Sequence, residues 1–129
     1  MSQSRDEMID ALKRKVVSVL RELGFKGSFP HFRRTSANQV QLLTFQFSMG
    51  GGQFVVELGK FPATGYQSHE GLIPPEKVKM RDLLRRLRLG AKNIDSDHWF
   101  NFERGNYEAV AKSIIPLIHR QAERWWARA

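Results

Sequence analysis

The chain has no cysteine among its 129 residues. That absence excludes disulfide staples, thiolate metal ligands and a cysteine nucleophile together, and it is compatible with a reducing cytosol. No apolar run approaches the ~20 residues that a membrane-spanning helix needs, so no membrane association is expected. The opening stretch MSQSRDEMIDALKRKVV lacks a signal peptide's succession of basic, apolar and small-residue regions. The expected setting is the cytoplasm. Internal repeats, low-complexity stretches and linkers are missing too, which leaves a single domain over 1–129, long enough to bury a core without staples. Acidic residues are scarce: 13 Asp and Glu face 21 Lys and Arg, for a net charge of +8.

Catalytic and metal-binding patterns are equally thin. Four histidines, His31, His69, His98 and His119, are scattered, and no serine sits in a nucleophile-elbow context. His69 and Glu70 adjoin without a second histidine or an orienting partner at useful spacing. Asp95, Asp97 and His98 crowd together, but the run lacks the glycine and terminal glutamate of a calcium loop; turn chemistry accounts for it better. Met49-Gly50-Gly51-Gly52 precedes a strand rather than a helix whose amides could hold a phosphate, and no lysine is placed as in a P-loop. No catalytic residue, metal or cofactor is expected on these grounds.

What is present is a pattern of elements. Ser4-Arg5-Asp6-Glu7 has capping-box spacing, and Met8, Leu12, Val16, Leu20 and Leu23 recur every three to four residues, predicting a helix over about 4–23 that stops at Gly24. Phe29 to Thr35 reads as a short strand in which Pro30 suits an edge or a start. Val40–Ser48 and Gln53–Phe61 are β-rich, and MGGG between them reads as a hairpin loop. Residues 62–79 form a loop, 93–97 a turn, and 98–102 (HWFNF) a short aromatic strand. Asn106 is placed to cap a last helix over about 106–127, which Pro116 should kink or split. Tyr107, Val110, Ala111, Ile114, Ile118 and Trp125 share one stripe; Lys112, Arg120, Arg124 and Arg128 share another. Trp125 should therefore meet the core. Trp126, about 100° further round, should stand exposed beside Arg124 as an interface through which the helix could join a second copy.

The positive charge is concentrated. Lys77, Lys79, Arg81, Arg85, Arg86, Arg88 and Lys92 face only Asp82, so seven bases less one acid give +6 in one short segment. Within it, RRLRLG at 85–90 admits two readings. As a helix after Pro75, Met80, Leu83, Leu84 and Leu87 would be buried opposite a basic ridge. As a strand over 84–89, Arg86 and Arg88 would share one face and Leu87 and Leu89 the other, with HWFNF as partner across the turn. Periodicity alone mildly favours the helix.

Leu23-Gly24-Phe25-Lys26, Phe32-Arg33-Arg34, Phe45-Gln46, Glu57-Leu58-Gly59, Arg86-x-Arg88-Leu89-Gly90 and Asp97-x-Trp99-Phe100 together resemble a bacterial family catalogued as domain of unknown function 4304. The resemblance spans about 10–105. It implies an α+β fold in two layers: an antiparallel sheet of about five strands flanked by an N-terminal and a C-terminal helix. It also implies that the arginine motif is a strand, after a short helix or turn near 75–82. Family members often carry Cys or His before the arginine pair; this chain has Leu83 and Leu84, so no role resting on that group carries over.

Three functional expectations follow. The first is a non-enzymatic binding module in which Arg86 and Arg88, near Glu57, with Gln46 and Trp99 beside them, hold an anionic group or a partner protein. The second is nucleic-acid binding through 77–92, with Lys77, Lys79, Arg81, Arg85 and Lys92 as contacts. The third is a small enzyme whose acid–base pair only the fold assembles.

Overall fold

Hydrophobic alternation and helical stripes place the core between the terminal helices and one face of the sheet. The computed structural model describes residues 3–128. Helices α1 (Gln3–Lys15) and α2 (Val17–Glu22) follow one another with a turn at Val16. Met8, Leu12, Val16 and Leu20 are wholly buried, as the stripe predicted. Ser4 lies inside α1 rather than capping it, because the helix already includes Gln3. Gly24, at φ 94°, ends α2: its N–H and that of Phe25 donate to Arg21 and Leu20, a left-handed stop that favours glycine.

The main sheet is antiparallel, in the order β1 (Lys26–Ser28), β2 (His31–Thr35), β3 (Gln39–Phe47), β4 (Gln53–Pro62) and β7 (Leu87–Arg88). Strand β8 (Phe100–Asn101) also pairs with β4. Residues of β3 and β4 alternate as their sequences require. Leu43, Phe45, Phe54, Val56 and Leu58 face the helices in the larger core, with Phe25, Phe32, Phe100 and Phe102. Val40, Leu42 and Phe61 face the other way, into a smaller cluster with Val78, Met80 and Leu83.

The stretch after β4 is more structured than a loop. It carries a small hairpin, β5 (Tyr66–Ser68) and β6 (Gly71–Ile73), then short 3-10 turns at Pro75–Lys77 and Met80–Asp82. Arg33 ties it to the sheet by donating to the carbonyls of Pro75 and Val78, at 2.9 and 2.7 Å. Gly59 admits it closely, since a Cβ there would overlap Leu83 Cδ1 and Met80 Sδ. This arrangement settles the RRLRLG question against a helix. Leu83 joins the outer cluster, Leu87 the inner core, and Leu84 is left 90% exposed, so the leucines do not form one stripe.

The aromatic strand does not pair with 84–89. Both β7 and β8 run antiparallel to β4, so they run in the same direction and cannot form a hairpin with each other. They lie end to end along one edge: Arg88 opposite Glu57, Leu87 opposite Leu58, then Phe100 opposite Phe54 and Asn101 opposite Gln53. Leu89 still donates to the Val56 carbonyl at 2.8 Å, and residues 90–99 form an excursion between the two pieces of one interrupted strand.

The last helix, α3 (Tyr107–Leu117), continues through Pro116 into a π-helical stretch, Ile118–Ala122, and then α4 (Glu123–Ala127). Asn106 occupies the position before α3, but its side chain makes no capping bond. The wide turn overturns the assignment of the two tryptophans. Trp126 is 1% exposed, its indole N–H donating to the Gly59 carbonyl at 3.0 Å, while Trp125 is half-buried. A π turn holds one more residue than an α turn, which shifts every later position by about 100° and moves Trp126 onto the Ile114–Ile118–Ala122 stripe. The exposed indole expected at Trp126 is therefore absent, and with it the interface reading of that ring; Arg124 remains exposed. Among the described residues no helix is long and apolar enough to cross a membrane.

Candidate functional site

The centre of the sheet's outer face is a carboxylate. Alternation along Val55-Val56-Glu57-Leu58 turns Glu57 away from the helices, in the middle of the longest strand, where its side chain is 8% exposed. A buried carboxylate is stable only with counter-charge. Arg86 supplies it with Nη1 at 3.3 Å from Oε1, and Arg88 with Nε at 3.4 Å from Oε2. The two arginines share the outer face because they are two residues apart in an extended segment.

Their surroundings differ. Arg88 also donates to Asp97, whose second oxygen accepts the Trp99 indole N–H at 3.1 Å, and the Arg88 guanidinium lies 5.3 Å from the centre of the Trp99 ring. Desolvation would raise the Asp97 pKa, but the hydrogen bonds from Arg88 and Trp99 outweigh it and hold the carboxyl below its ordinary value. Arg88 is thus committed to its neighbours. Among the described residues Arg86 has Glu57 alone as an ion-pair partner, and its side chain is 36% exposed.

Arg86 borders a groove of about 1100 Å³ across the outer face. Its apolar floor includes Leu42 and Met80; Gln46 and Thr44 line it, the latter meeting His31 Nδ1 at 3.3 Å. Six basic side chains border it, Arg5, Lys26, Arg33, Lys79, Arg81 and Arg86, against Glu57 as the one acid among its lining residues. Arg88 borders an adjoining recess, with Asp95 and Asp97 at its rim.

The basic segment 77–92 does not form one patch. Lys79 and Arg81 border the outer groove, and Lys77 stands exposed on its 3-10 turn. Arg85, whose side alternates with that of Arg86, borders instead a groove of about 450 Å³ on the helix side, with Lys92, Arg120, Arg124 and Arg128. The structure brings Arg86 and Arg88 to Glu57, and Trp99 to Arg88. Sequence reasoning missed Arg33 as the tie for the connecting segment. It also missed Arg34, which forks onto Glu123 at 2.6 and 3.0 Å and lies 4.6 Å over Phe25. The aromatic-arginine run was the visible signal for both, since successive residues of a strand serve opposite faces.

His69 and Glu70 are exposed at the β5–β6 turn, and His98 packs edge-on against Phe100 at 4.9 Å. Among the described residues no three His, Asp or Glu side chains gather as a metal set.

The model of a family described as a domain of unknown function, DUF4304, matches residues 16–128, and the chain belongs to that family. No curated protein and no solved structure matches it.

Proposed function

We propose that this DUF4304 chain is a non-catalytic binding module that takes an acidic segment of a partner protein into the outer-face groove, with Arg86 as its central contact. One observation carries the reading. Glu57 anchors Arg86 through one Nη1 contact, so the guanidinium is fixed in place while most of its five N–H donors stay available. A planar fork held from behind is suited to a carboxylate in front, because little side-chain freedom is lost on binding. The surplus of bordering cations favours an anionic occupant, and about 1100 Å³ of open, partly apolar groove exceeds what most small ligands fill. Gln46, Thr44 and His31 add polar contacts along the same face. The proposed setting is a bacterial cytoplasm, which the absence of cysteine fits.

The test is titration of the isotopically labelled protein with a hexaglutamate peptide at low salt, followed by amide NMR shifts. Expected are shifts clustered at 26–33, 44–46 and 79–86, reduced about tenfold in apparent affinity by Arg86→Gln, the loss of one charge-assisted contact. Shifts confined to other surfaces, or equal affinity in the variant, would overturn the reading.

A further inference from the structure

The helix-side groove poses a different question: why five basic side chains converge there with nothing to balance them. Arg85 and Lys92 come from either side of β7, Arg120 and Arg124 stand four residues apart on the last helix, and Arg128 follows its end at Ala127. No Asp or Glu lines the groove. Elsewhere the protein pairs arginines readily: Arg14 with Asp10 and Glu108, Arg34 with Glu123, Arg86 and Arg88 with Glu57 and Asp97. None of the five has such a partner among the described residues. A cleft lined by one sign of charge concentrates counter-charge from solution, so the groove attracts anions.

We propose that this groove is a second binding site, distinct from the outer-face groove, that grips the phosphate backbone of a nucleic acid. Charge complementarity favours a polyanion over a single carboxylate, since Arg120 and Arg124 alone stand about 6 Å apart along the helix and a lone anion meets only one or two of the five. A nucleic-acid strand offers a charge every ~3.4 Å along its axis and can meet them all. Four of the five cations are arginines, whose planar forks suit phosphate oxygens. A flat membrane surface cannot enter a concave site walled by Trp125 and Gln121. One face of the Trp125 ring carries the Lys60 ammonium, 4.4 Å from its centre, and the five cations of the groove address phosphates, so recognition is of the backbone, without sequence preference. The Lys60 ammonium feels the same charges: burial first, then Arg128 and Arg85, hold its pKa below the ordinary lysine value.

Fluorescence anisotropy of labelled dT20 and of a 20-base-pair duplex, from 50 to 200 mM NaCl, tests the proposal. Five phosphate contacts give slopes of log K against log salt of about −3.5 for the single strand and −4.5 for the duplex, a loss of about 100- to 500-fold across that range. Arg124→Gln with Arg128→Gln should bring the single-strand slope to about −2. Both side chains are exposed and have no ion-pair partner among the described residues, so circular dichroism should show the fold intact. Arg86→Gln should leave affinity and slope unchanged, which separates this site from the outer-face groove whatever becomes of the acidic-segment reading. Absence of binding at 50 mM salt, a slope unmoved by the double variant, or displacement by polyglutamate at equal charge concentration would overturn the proposal.

Discussion

Replacing Glu57 by glutamine keeps the side chain's shape and removes the charge that two arginines share. The cost can be bracketed from the geometry. Breaking a fully buried ion pair from one side costs about 3–5 kcal/mol, and an exposed pair is worth about 0–1. Here the carboxylate is 8% exposed while Arg86 and Arg88 are 36% and 29% exposed, so water can partly resolvate the stranded guanidinia. A loss of about 2 kcal/mol follows, with mutual repulsion of the arginines included. For a chain of this length that lowers Tm by about 7 °C. Urea unfolding followed by tryptophan fluorescence measures the first quantity, and a thermal melt by circular dichroism the second. Adding Arg86→Gln should recover part of the loss, because one of the two unbalanced charges is then gone. Glu57→Gln should also bind hexaglutamate more weakly than the parent, as Arg86 loses the anchor that holds its fork in place. A urea midpoint within error of the parent's, with hexaglutamate affinity unchanged, would refute the placing of Glu57 as the shared anchor.

Other perturbations probe other parts of the fold. Trp126→Phe should cost about 1–3 kcal/mol, because the Gly59 carbonyl loses its indole donor, and Trp125→Ala should cost less; the reverse order in urea midpoints would contradict the shifted helical register. Gly59→Ala should destabilise by about 1–3 kcal/mol through overlap with Leu83 and Met80, with partial rescue by Leu83→Ala, and a neutral effect would count against that packing. Asp97, with its folded pKa held below 3.8, contributes stability that is present above that value and fades as pH falls through the folded one. Asp97→Asn should therefore flatten the decline in unfolding midpoint between pH 5 and pH 2.5 (about the range of carboxylate titration), and an unchanged decline would place the acid sensitivity elsewhere.

Local rules carried much of the fold. The apolar stripe of α1 and α2, the alternation of β3 and β4, and the glycine loop between them depend on neighbours in sequence, and each lies where its pattern indicated. The pairing of β8 depends on strand direction and on the length of β4, which no local pattern encodes. The tryptophan assignment failed because extrapolating at 3.6 residues per turn assumes an unbroken helix, and the wide turn at Ile118–Ala122 follows Pro116 without a residue signature of its own. At the site, strand alternation was enough to put Arg86 and Arg88 on one side. It does not show that Arg88 is consumed by Asp97 and Trp99 while Arg86 is not. The separation of Arg85 from Arg86 follows from the same alternation, but which cations await Arg85 across the helix side is a tertiary fact.

The two borders of the sheet are both blunt. On one side β1 is three residues long, with Lys26, Gly27 and Ser28 all exposed; on the other, the border is broken into the two-residue pieces Leu87–Arg88 and Phe100–Asn101 by the excursion between them. Short, charged or interrupted borders offer no continuous row of backbone donors and acceptors to a foreign chain. Templated growth into fibrils is disfavoured at either end, even though the interior strands are rich in phenylalanine and valine. The same bluntness constrains recognition. A partner cannot lengthen this sheet by laying its own backbone beside it, so it must be read through side chains on a face. Specificity can then be altered by exchanging one exposed residue at a time, with the ladder of main-chain hydrogen bonds left untouched.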